Sequence, residues 1–389
     1  MYASLLKNIK GDKVIWGVVL FLFLFSLLAV YSSTSAISAM PNKMSTTGYL
    51  MKQFALVFIA FVAMYVMHVI PIGWYRRLAL PSLVVGAGVV LFALCFGTKL
   101  NEGSRWISIF GLTFQPTDLA RIAVILYIAK IMEIFDLKSF RDFAKMILLP
   151  IGIIFILFMW AGISMSLLLA FTVVVLLFVG GIKISHLLKS AGLLIALLAF
   201  ILLVGKVTGY YPPRFPTAIH RVEVFLSKNK NMENKDDKTS TFQSKQSQIA
   251  IAKGGWGVGP GNSTQRFVLP HPYSDFIYAI IIEEYGVIGG VAIILLYLIL
   301  LFRAITIAQS CTRVFPMIMV LGLVLMITFQ AIVNMGVAVG ILPVTGQPLP
   351  LISQGGSSLI TFGMALGMVL AVSRATEERD MKPVPVLDK

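Results

Sequence analysis

The stretch Met146–Ile182, MILLPIGIIFILFMWAGISMSLLLAFTVVVLLFVGGI, decides the fold because it is strongly apolar and contains no charged residue. As a single helix it would reach about 55 Å at about 1.5 Å per residue, whereas the hydrocarbon core of a bilayer is about 30 Å thick. The stretch must therefore fold back on itself. We predict the reversal at Ala161-Gly162-Ile163-Ser164, the one break in the apolar pattern.

The composition of the whole chain agrees with a membrane protein. Of its 389 residues 58% are hydrophobic and 13% are charged, and the mean hydropathy is +0.89. A soluble domain carries about 25% charged residues, so soluble enzymes and disordered proteins are excluded. Cys95 and Cys311 form no Cys-x-x-Cys pair, and the four histidines are scattered. The sequence therefore predicts no disulfide framework and leaves the ligands of any metal unknown.

Apolar runs of membrane-spanning length predict an all-α, polytopic integral membrane protein with ten transmembrane helices, forming a single membrane domain over residues 1–389. The runs are Val14–Tyr31, Phe54–Ile70, Leu78–Phe96, Leu119–Phe135, Met146–Trp160, Met165–Ile182, Leu187–Val207, Phe276–Phe302, Val314–Ile341 and Leu359–Val372. The fourth run carries Arg121, Lys130 and Glu133, and charges inside a span are either functional or members of a structural ion pair.

The distribution of lysine and arginine predicts the orientation. With both termini in the cytoplasm, most basic residues fall on the inner side, including those of a cytoplasmic tail at 374–389. A large extracytoplasmic loop, 208–275, then joins spans seven and eight, and within it the highly charged Lys228–Lys245 is predicted to be a solvated, mobile segment. The net charge of +15 is thus a topology signal, and we expect no nucleic-acid partner.

Three predicted outer segments are rich in polar residues, glycine and proline. In the first, Arg105 and Trp106 are either an interfacial anchor or a phosphate-binding pair, and Gln115-Pro116-Thr117-Asp118 opens the fourth span. In the second, the glycine-rich stretch Gly254–Gly261 is either flexible turn chemistry or a backbone nest for an anion. In the third, Leu342–Ser358 predicts a re-entrant or tightly packed loop that ends at a helix N-terminus.

Asp275 lies where the long loop meets the eighth span. Its carboxylate either caps the helix N-terminus or accepts a proton from a sugar hydroxyl. Glu283 and Glu284 lie about 12–13 Å further along the helix, where two carboxylates need partners. Because all three segments converge on one face, the loops predict a site for an anion and a proton acceptor, which fits a lipid-linked pyrophosphate sugar.

Four motifs in order resemble the SEDS family (shape, elongation, division and sporulation), over essentially the whole chain. They are RWI…QPTDLAR, FQSKQSQIAIAKGGWGVGPG, LPHPYSDFIYAIIIEEYG and ILPVTGQPLPLISQGGSS. The resemblance implies a peptidoglycan glycosyltransferase of the cell (inner) membrane, whose active site faces outward and polymerises lipid II into a glycan strand. It further implies a divalent cation, Mg²⁺ or Mn²⁺, and as partners a class B penicillin-binding protein and other divisome membrane proteins.

In this resemblance Asp275 is the general base that activates the acceptor 4-hydroxyl, with undecaprenyl pyrophosphate as the leaving group. Glu283 and Glu284 are expected to be structural residues within the membrane. The expected substrate-binding residues are Arg105, Trp106, Gln115, Asp118, Arg121, Arg221, Gln248, Arg266, His271, Ser274, Ser353, Gly355, Gly356 and Ser357.

The chain departs from the family pattern at several positions. The family's glutamate, histidine and threonine in the aspartate motif are His271, Tyr273 and Ser274 here, and Arg121 lacks its customary acidic partner, for which Asp118 or Glu133 could substitute. The chain looks more like the division members, typified by FtsW, than the elongation members, typified by RodA. A lipid II flippase and a non-catalytic division scaffold are the alternatives, although we find no duplicated halves of the kind common in transporters.

Overall fold

Every apolar run in the sequence forms a helix in the structure, a computed structural model that describes residues 10–35, 44–100, 103–109, 112–209, 211–212, 214–226, 235–269 and 272–380. The helices are α1 Lys13–Thr34, α2 Thr46–Val69, α3 Ile72–Phe96, α4 Pro116–Ile134, α5 Phe140–Ala161, α6 Ile163–Val179, α7 Ile184–Thr208, α8 Phe215–Leu226, α9 Lys235–Gly254, α10 Ile277–Gln309, α11 Val314–Ala338 and α12 Ser357–Asp380. Residues 144–148 within α5 form a π-helical turn.

Eight of the described helices are long and apolar enough to cross a membrane, namely α1, α2, α3, α5, α7, α10, α11 and α12. The helices α4 and α6 coincide with the other two predicted spans, but α6 has 17 residues and α4 carries buried charges. The helical membrane class is therefore confirmed, whereas ten crossings and two cytoplasmic termini stay predictions.

The predicted reversal of the Met146–Ile182 stretch is confirmed. Helix α5 ends at Ala161, Gly162 adopts an extended conformation, and α6 begins at Ile163 and packs back against α5. Gly162 is thus the single residue between the two helices.

Helices α11 and α12 form the centre of the bundle. In the most apolar part of α11 72% of the residues are buried, against 6% in α7. Gly363 and Gly367 of α12 let its backbone approach α2, since a Cβ on Gly363 would lie 2.6 Å from the Ala60 carbonyl oxygen. This small-xxx-small pattern is a common way for membrane helices to pack without a hydrophobic driving force.

A small antiparallel sheet lies between α3 and α4, in an otherwise helical structure. Its strands are β1 Thr98–Leu100, β2 Gly103–Ile109 and β3 Leu112–Phe114, in the order β1-β2-β3. Thr98 pairs with Trp106, and Ile107 pairs with Phe114. The apolar runs did not predict this sheet, although aromatic and β-branched residues at such positions favour strands.

The long predicted loop contains two helices, α8 and α9. The prediction that Lys228–Lys245 is a mobile loop is wrong from Lys235 onward, where α9 begins. The helix is held by its C-terminal half, because Ala250 is fully buried and the Ser247 Oγ donates a 2.7 Å hydrogen bond to the Ala338 carbonyl oxygen. Residues 227–234 lie outside the described residues.

Candidate functional site

A cavity of about 310 Å³ opens at the end of the bundle where α4 and α12 begin. Its wall combines the start of α6, one face of α8, the segment before α10 and the loop between α11 and α12. The lining residues are Gln115, Gly162, Ile163, Ser164, Met165, Arg214, Thr217, Ala218, Arg221, Tyr273, Ser274, Asp275, Thr345, Gly346, Gln347, Pro348, Gln354, Gly355, Gly356 and Ser358. Elements distant in sequence thus converge on one concave site.

Asp275 presents a half-buried carboxylate to this cavity, just before the first residue of α10. The Ser274 Oγ donates to Asp275 Oδ1 at 2.8 Å. On the other side the carboxylate lies against Gly346, where a Cβ would be 3.6 Å from Asp275 Oδ2. The Asn334 Nδ2 donates to the Asp275 carbonyl oxygen at 2.8 Å, which fixes the backbone that carries the acid.

Tyr273 lies beside this acid in the same wall. Burial raises the pKa of the Tyr273 hydroxyl above its ordinary value, and the nearby Asp275 carboxylate adds to the shift. The phenol therefore remains protonated at neutral pH and can act as a hydrogen-bond donor near the carboxylate.

The loop 339–356 is rigid although it is rich in proline and glycine, because side chains of α11 bind its backbone. Asn334 Nδ2 donates to the Gln347 carbonyl oxygen at 2.7 Å, and Gln330 Nε2 donates to the Pro348 carbonyl oxygen at 3.0 Å. Ser353 Oγ donates to the Ser274 carbonyl oxygen at 2.6 Å, which ties the loop to the segment that carries the acid. Ser353 therefore supports the cavity wall rather than lining it.

Two arginines of the α8 region face the cavity. Arg221 was predicted from the sequence, and its Nη1 donates to the Val344 carbonyl oxygen at 3.2 Å. Arg214 was missed, although it stands seven residues before Arg221 and so shares one face of a helix with it. Thr217 and Ala218 lie on the same face and complete this wall. Two guanidinium groups opposite a carboxylate suit a substrate that carries both a phosphate and a hydroxyl.

The start of α12 forms the floor of the cavity with Gly355 and Gly356. Ser357 Oγ accepts a hydrogen bond from the Gln115 backbone N–H at 2.8 Å, which joins the starts of α4 and α12. Of the predicted substrate-binding residues, Gln115, Arg221, Ser274, Gly355 and Gly356 therefore line the cavity, and Ser357 lies directly beneath it.

Asp118 and Arg121 form a buried ion pair below the cavity, with 2% and 1% of their side chains exposed. Arg121 Nη1 also donates to Gln330 Oε1 at 2.7 Å, and Ser358 Oγ donates to Asp118 Oδ2 at 2.5 Å. Asp118 is thus the counter-ion of Arg121, whereas Glu133 pairs with Arg76 elsewhere. The pair joins α4, α11 and α12, and its atoms do not reach the cavity surface.

Glu283 and Glu284 are both buried in α10. The Glu283 carboxylate accepts hydrogen bonds from the Ser263 and Thr264 hydroxyls and from the backbone N–H groups of Thr264 and Gln265. Glu284 accepts a hydrogen bond from the Ser32 hydroxyl of α1. Both carboxylates therefore hold structure together within the bundle.

The glycine-rich stretch Gly254–Gly261 completes a break in α10. The helix is interrupted at Gly286, where φ is 73°. Two N–H groups of the glycine-rich stretch donate to α10: Val258 to the Glu283 carbonyl oxygen at 2.9 Å, and Gly259 to the Glu284 carbonyl oxygen at 3.0 Å. In the other direction, the Val287 N–H of α10 donates to the Gly255 carbonyl oxygen at 3.0 Å. These N–H groups are thus engaged with the protein, so the predicted anion nest is not formed by Val258 and Gly259.

Gln248 and Arg266 also do not line the cavity, and the side chains of three further predicted site residues are not described. Gln248 is exposed on α9 and packs over Gly340, and Arg266 donates to the Ser32 carbonyl oxygen at 3.3 Å beside Glu284. Arg105 and Trp106 belong to β2, but their side chains lie outside the part of the chain that the structure describes. His271 is also outside the described residues.

The expected divalent cation would depend mainly on the substrate for its ligands. Among the described residues, no group of three or more His, Cys, Asp or Glu side chains could hold a metal ion. Of the described residues that line the cavity, Asp275 alone carries a carboxylate. Mg²⁺ commonly takes substrate phosphates as ligands beside one or two carboxylates, so the substrate diphosphate would supply most of the ligands of such a cation here.

The chain resembles known proteins over nearly its whole length. A family model for cell cycle proteins of the FtsW, RodA and SpoVE type matches residues 12–378. Stage V sporulation protein E of Bacillus subtilis is 31% identical over 376 residues, covering 95% of this chain and 98% of that protein. A probable peptidoglycan glycosyltransferase FtsW of Nitrosococcus halophilus is 31% identical over 347 residues, covering 85% of this chain and 84% of that protein.

Solved structures show the same fold. One, from a study of structural coordination of polymerization and crosslinking by a peptidoglycan synthase complex, has a TM-score of 0.71 at 28% identity and covers 94% of this chain and 98% of that chain. The rod shape determining protein RodA of Thermus thermophilus has a TM-score of 0.64 at 25% identity and covers 94% of this chain and 97% of that chain. The chain therefore belongs to the FtsW, RodA and SpoVE family of cell cycle proteins.

Proposed function

We propose that this protein is a peptidoglycan glycosyltransferase that polymerises lipid II into glycan strands. The observation that carries the proposal is the position of Asp275, a carboxylate in a cavity that also presents Arg214 and Arg221. A polyprenyl-diphosphate sugar requires cations for its diphosphate and a proton acceptor for the attacking hydroxyl. Relatives that bear the name probable peptidoglycan glycosyltransferase FtsW support the same activity.

In the proposed reaction the Asp275 carboxylate accepts the proton of the acceptor sugar's 4-hydroxyl. The hydroxyl oxygen forms a bond to the anomeric carbon of the donor from the face opposite the leaving group. The bond between that carbon and the phosphate oxygen breaks with its electron pair, so undecaprenyl pyrophosphate departs and the configuration inverts. The protonated Asp275 then returns its proton to solvent. Attack by an activated hydroxyl is a common use of a positioned carboxylate, worth about 10²–10⁴ in rate.

The arginines would act on the leaving group. As the glycosidic bond breaks, negative charge increases on the diphosphate, and fixed guanidinium groups stabilise that charge. A divalent cation would supply further charge neutralisation at the same diphosphate when it is bound. The buried Asp118–Arg121 pair keeps the floor of the cavity in place through its bonds to α11 and α12.

The membrane orientation is part of the proposal. With both termini in the cytoplasm, the cavity faces outward from the cell inner membrane, and the basic inner segments follow the positive-inside tendency. Lipid II would then enter with its polyprenyl chain in the bilayer and its sugars in the cavity. The exposed apolar faces of the surrounding helices are compatible with lateral entry from lipid.

We propose a class B penicillin-binding protein as the partner and septal synthesis in cell division as the process. The similarity to a chain from a peptidoglycan synthase complex supports a partner that crosslinks the new strands. The FtsW names among the relatives support division, while the similarity to RodA keeps elongation as the alternative process.

The decisive experiment reconstitutes the full chain with its class B partner in vesicles that contain lipid II. We expect glycan strands on a gel, and their absence from vesicles that lack the chain. Movement of lipid II across the bilayer without polymer would instead identify a flippase. Neither polymer nor movement, with normal recruitment of the partner, would identify a scaffold.

A further inference from the structure

A second cavity, of about 250 Å³, lies between the start of α3, the end of α4, the turn between α10 and α11, and the end of α12. Its polar lining includes Arg76, Glu133 and Arg313. Its apolar lining includes Phe315 and Val372. None of these residues takes part in the cavity of Asp275.

The two cavities lie at opposite ends of the same helices. Along α4, Gln115 lines the first cavity and Glu133 lines the second, and along α12 the corresponding residues are Ser358 and Thr376. Each separation corresponds to about 27 Å of helix at about 1.5 Å per residue. Because this length is close to the roughly 30 Å of bilayer hydrocarbon, the second cavity lies at the opposite membrane surface.

The position of the second cavity relative to the lipid headgroups is also indicated by a tryptophan. Trp74, two residues before Arg76 in α3, is 55% exposed. Tryptophan is enriched at the level of the lipid headgroups. The mouth of the cavity is therefore at headgroup level, with the exposed apolar faces of the bundle next to it.

Glu133 positions Arg76 for a further ligand. The Arg76 Nε contacts Glu133 Oε2 at 2.5 Å, and half of the Arg76 side chain remains exposed. The two terminal nitrogens of this guanidinium make no hydrogen bond within the described part of the chain. Held by one edge, the guanidinium presents its remaining N–H groups as a fork, the geometry that binds phosphate oxygens in pairs.

Arg313 supplies a second cation from the other side of the cavity. It is exposed, and it forms no ion pair or hydrogen bond with any described residue. Together with Arg76 and Glu133 it gives the polar lining one net positive charge. This charge matches a single phosphodiester, which carries one negative charge.

We propose that the second cavity binds the phosphodiester headgroup of an anionic phospholipid from the cytoplasmic leaflet. Arg76 and Arg313 bind the phosphate oxygens, and the acyl chains lie along the apolar helix faces beside the mouth. A phosphate group could also come from solution, but the partly exposed Ile72 and Pro316 give the site an apolar wall that a free phosphate would not use. Basic pockets between membrane helices are typical sites for such headgroups.

The test titrates phosphatidylglycerol and phosphatidylcholine into the full chain in neutral detergent and counts bound lipids by native mass spectrometry. We expect phosphatidylglycerol to bind at least tenfold more tightly than phosphatidylcholine. Arg313→Gln and Arg76→Gln should each weaken phosphatidylglycerol binding about tenfold, the loss expected for one charge-assisted contact. Arg141→Gln is the matched control, because Arg141 is exposed near the same end but outside the cavity, and it should leave binding unchanged.

Folding does not confound the result for Arg313, since its side chain makes no hydrogen bond or ion pair with a described residue that the fold could lose. Unchanged thermal unfolding of Arg313→Gln verifies this. Equal binding of the two lipids would overturn the proposal. Equal losses in Arg141→Gln and Arg313→Gln would do the same, because they would indicate general surface charge. Displacement of phosphatidylglycerol by millimolar inorganic phosphate would assign the site to a soluble anion instead of a lipid.

Discussion

Two carboxylates near the start of α10, Asp275 and Glu283, have opposite surroundings. Asp275 is half-buried, faces a cavity and accepts a hydrogen bond from Ser274. Glu283 has no exposed surface, and its oxygens accept hydrogen bonds from three consecutive residues, Ser263 to Gln265. A carboxylate with its lone pairs already occupied cannot also receive a substrate proton. The comparison therefore separates a carboxylate that faces the cavity from a carboxylate that maintains structure.

The largest effect is expected at Asp275. Asp275→Asn keeps the shape of the side chain but removes the proton acceptor, so the polymerisation rate should fall about 10²–10⁴-fold. Thermal unfolding should stay within a few degrees of the wild type. The matched control is Asp136→Asn, which alters an exposed carboxylate outside the cavity and should leave the rate unchanged. A rate near the wild-type value for Asp275→Asn would remove the general-base role.

Glu283→Ala should lower the folding stability of the protein and leave its polymerisation rate nearly unchanged. The change leaves the Ser263 hydroxyl and the Gln265 N–H buried without their acceptor, which costs about 3 kcal/mol of folding free energy. The expected result is a clear drop in the unfolding temperature, with polymerisation per folded molecule within a few-fold of the wild type. An undiminished unfolding temperature combined with lost activity would show instead that Glu283 takes part in the chemistry.

Much of this architecture follows from the sequence, for physical reasons. The reversal at Gly162 is predictable because a continuous apolar run cannot exceed the bilayer thickness without turning. The position of Asp275 is predictable from the boundary between a polar loop and an apolar helix. These predictions need only local composition and lengths.

Other features depend on contacts between distant segments, which composition does not specify. An anion nest was one of two interpretations of the glycine-rich stretch, but Val258 and Gly259 donate to α10, because the break at Gly286 leaves carbonyl groups there to be satisfied. Arg214 was overlooked as a single charge in a long loop, although its seven-residue spacing from Arg221 was a usable signal. The strand Gly103–Ile109 was missed because Arg105 and Trp106 were interpreted only through their side chains, as an interfacial or phosphate-binding pair.

A substitution at the break in α10 should lower stability less than Glu283→Ala does. Gly286 has φ of 73°, and a Cβ there would lie 2.6 Å from the Trp256 carbonyl carbon. Gly286→Ala should therefore cost about 2 kcal/mol, seen as a lower unfolding temperature. Gly88→Ala is the matched control, since a Cβ on this glycine meets nothing within 4 Å and alanine favours a helix. Equal unfolding temperatures for the two variants would contradict the role of the break.

The smallest of these effects concerns substrate binding. Arg214→Gln and Arg221→Gln each remove one cation from the cavity, so the KM for lipid II should rise by up to about tenfold while kcat changes less. Lys245→Gln, an exposed lysine on α9 outside the cavity, is the control and should leave KM unchanged. An unchanged KM in both arginine variants would move diphosphate binding elsewhere.

A single-turnover measurement that separates donor binding from bond formation gives the sharpest test of Asp275 as the general base. Wild type and Asp275→Asn, each with its class B partner, are loaded with labelled lipid II, and the bound donor and the first glycosidic bond are quantified. We expect equal donor binding in the two proteins, and bond formation slower by about 10²–10⁴-fold in the variant. Bond formation at the wild-type rate by fully loaded Asp275→Asn would contradict this role.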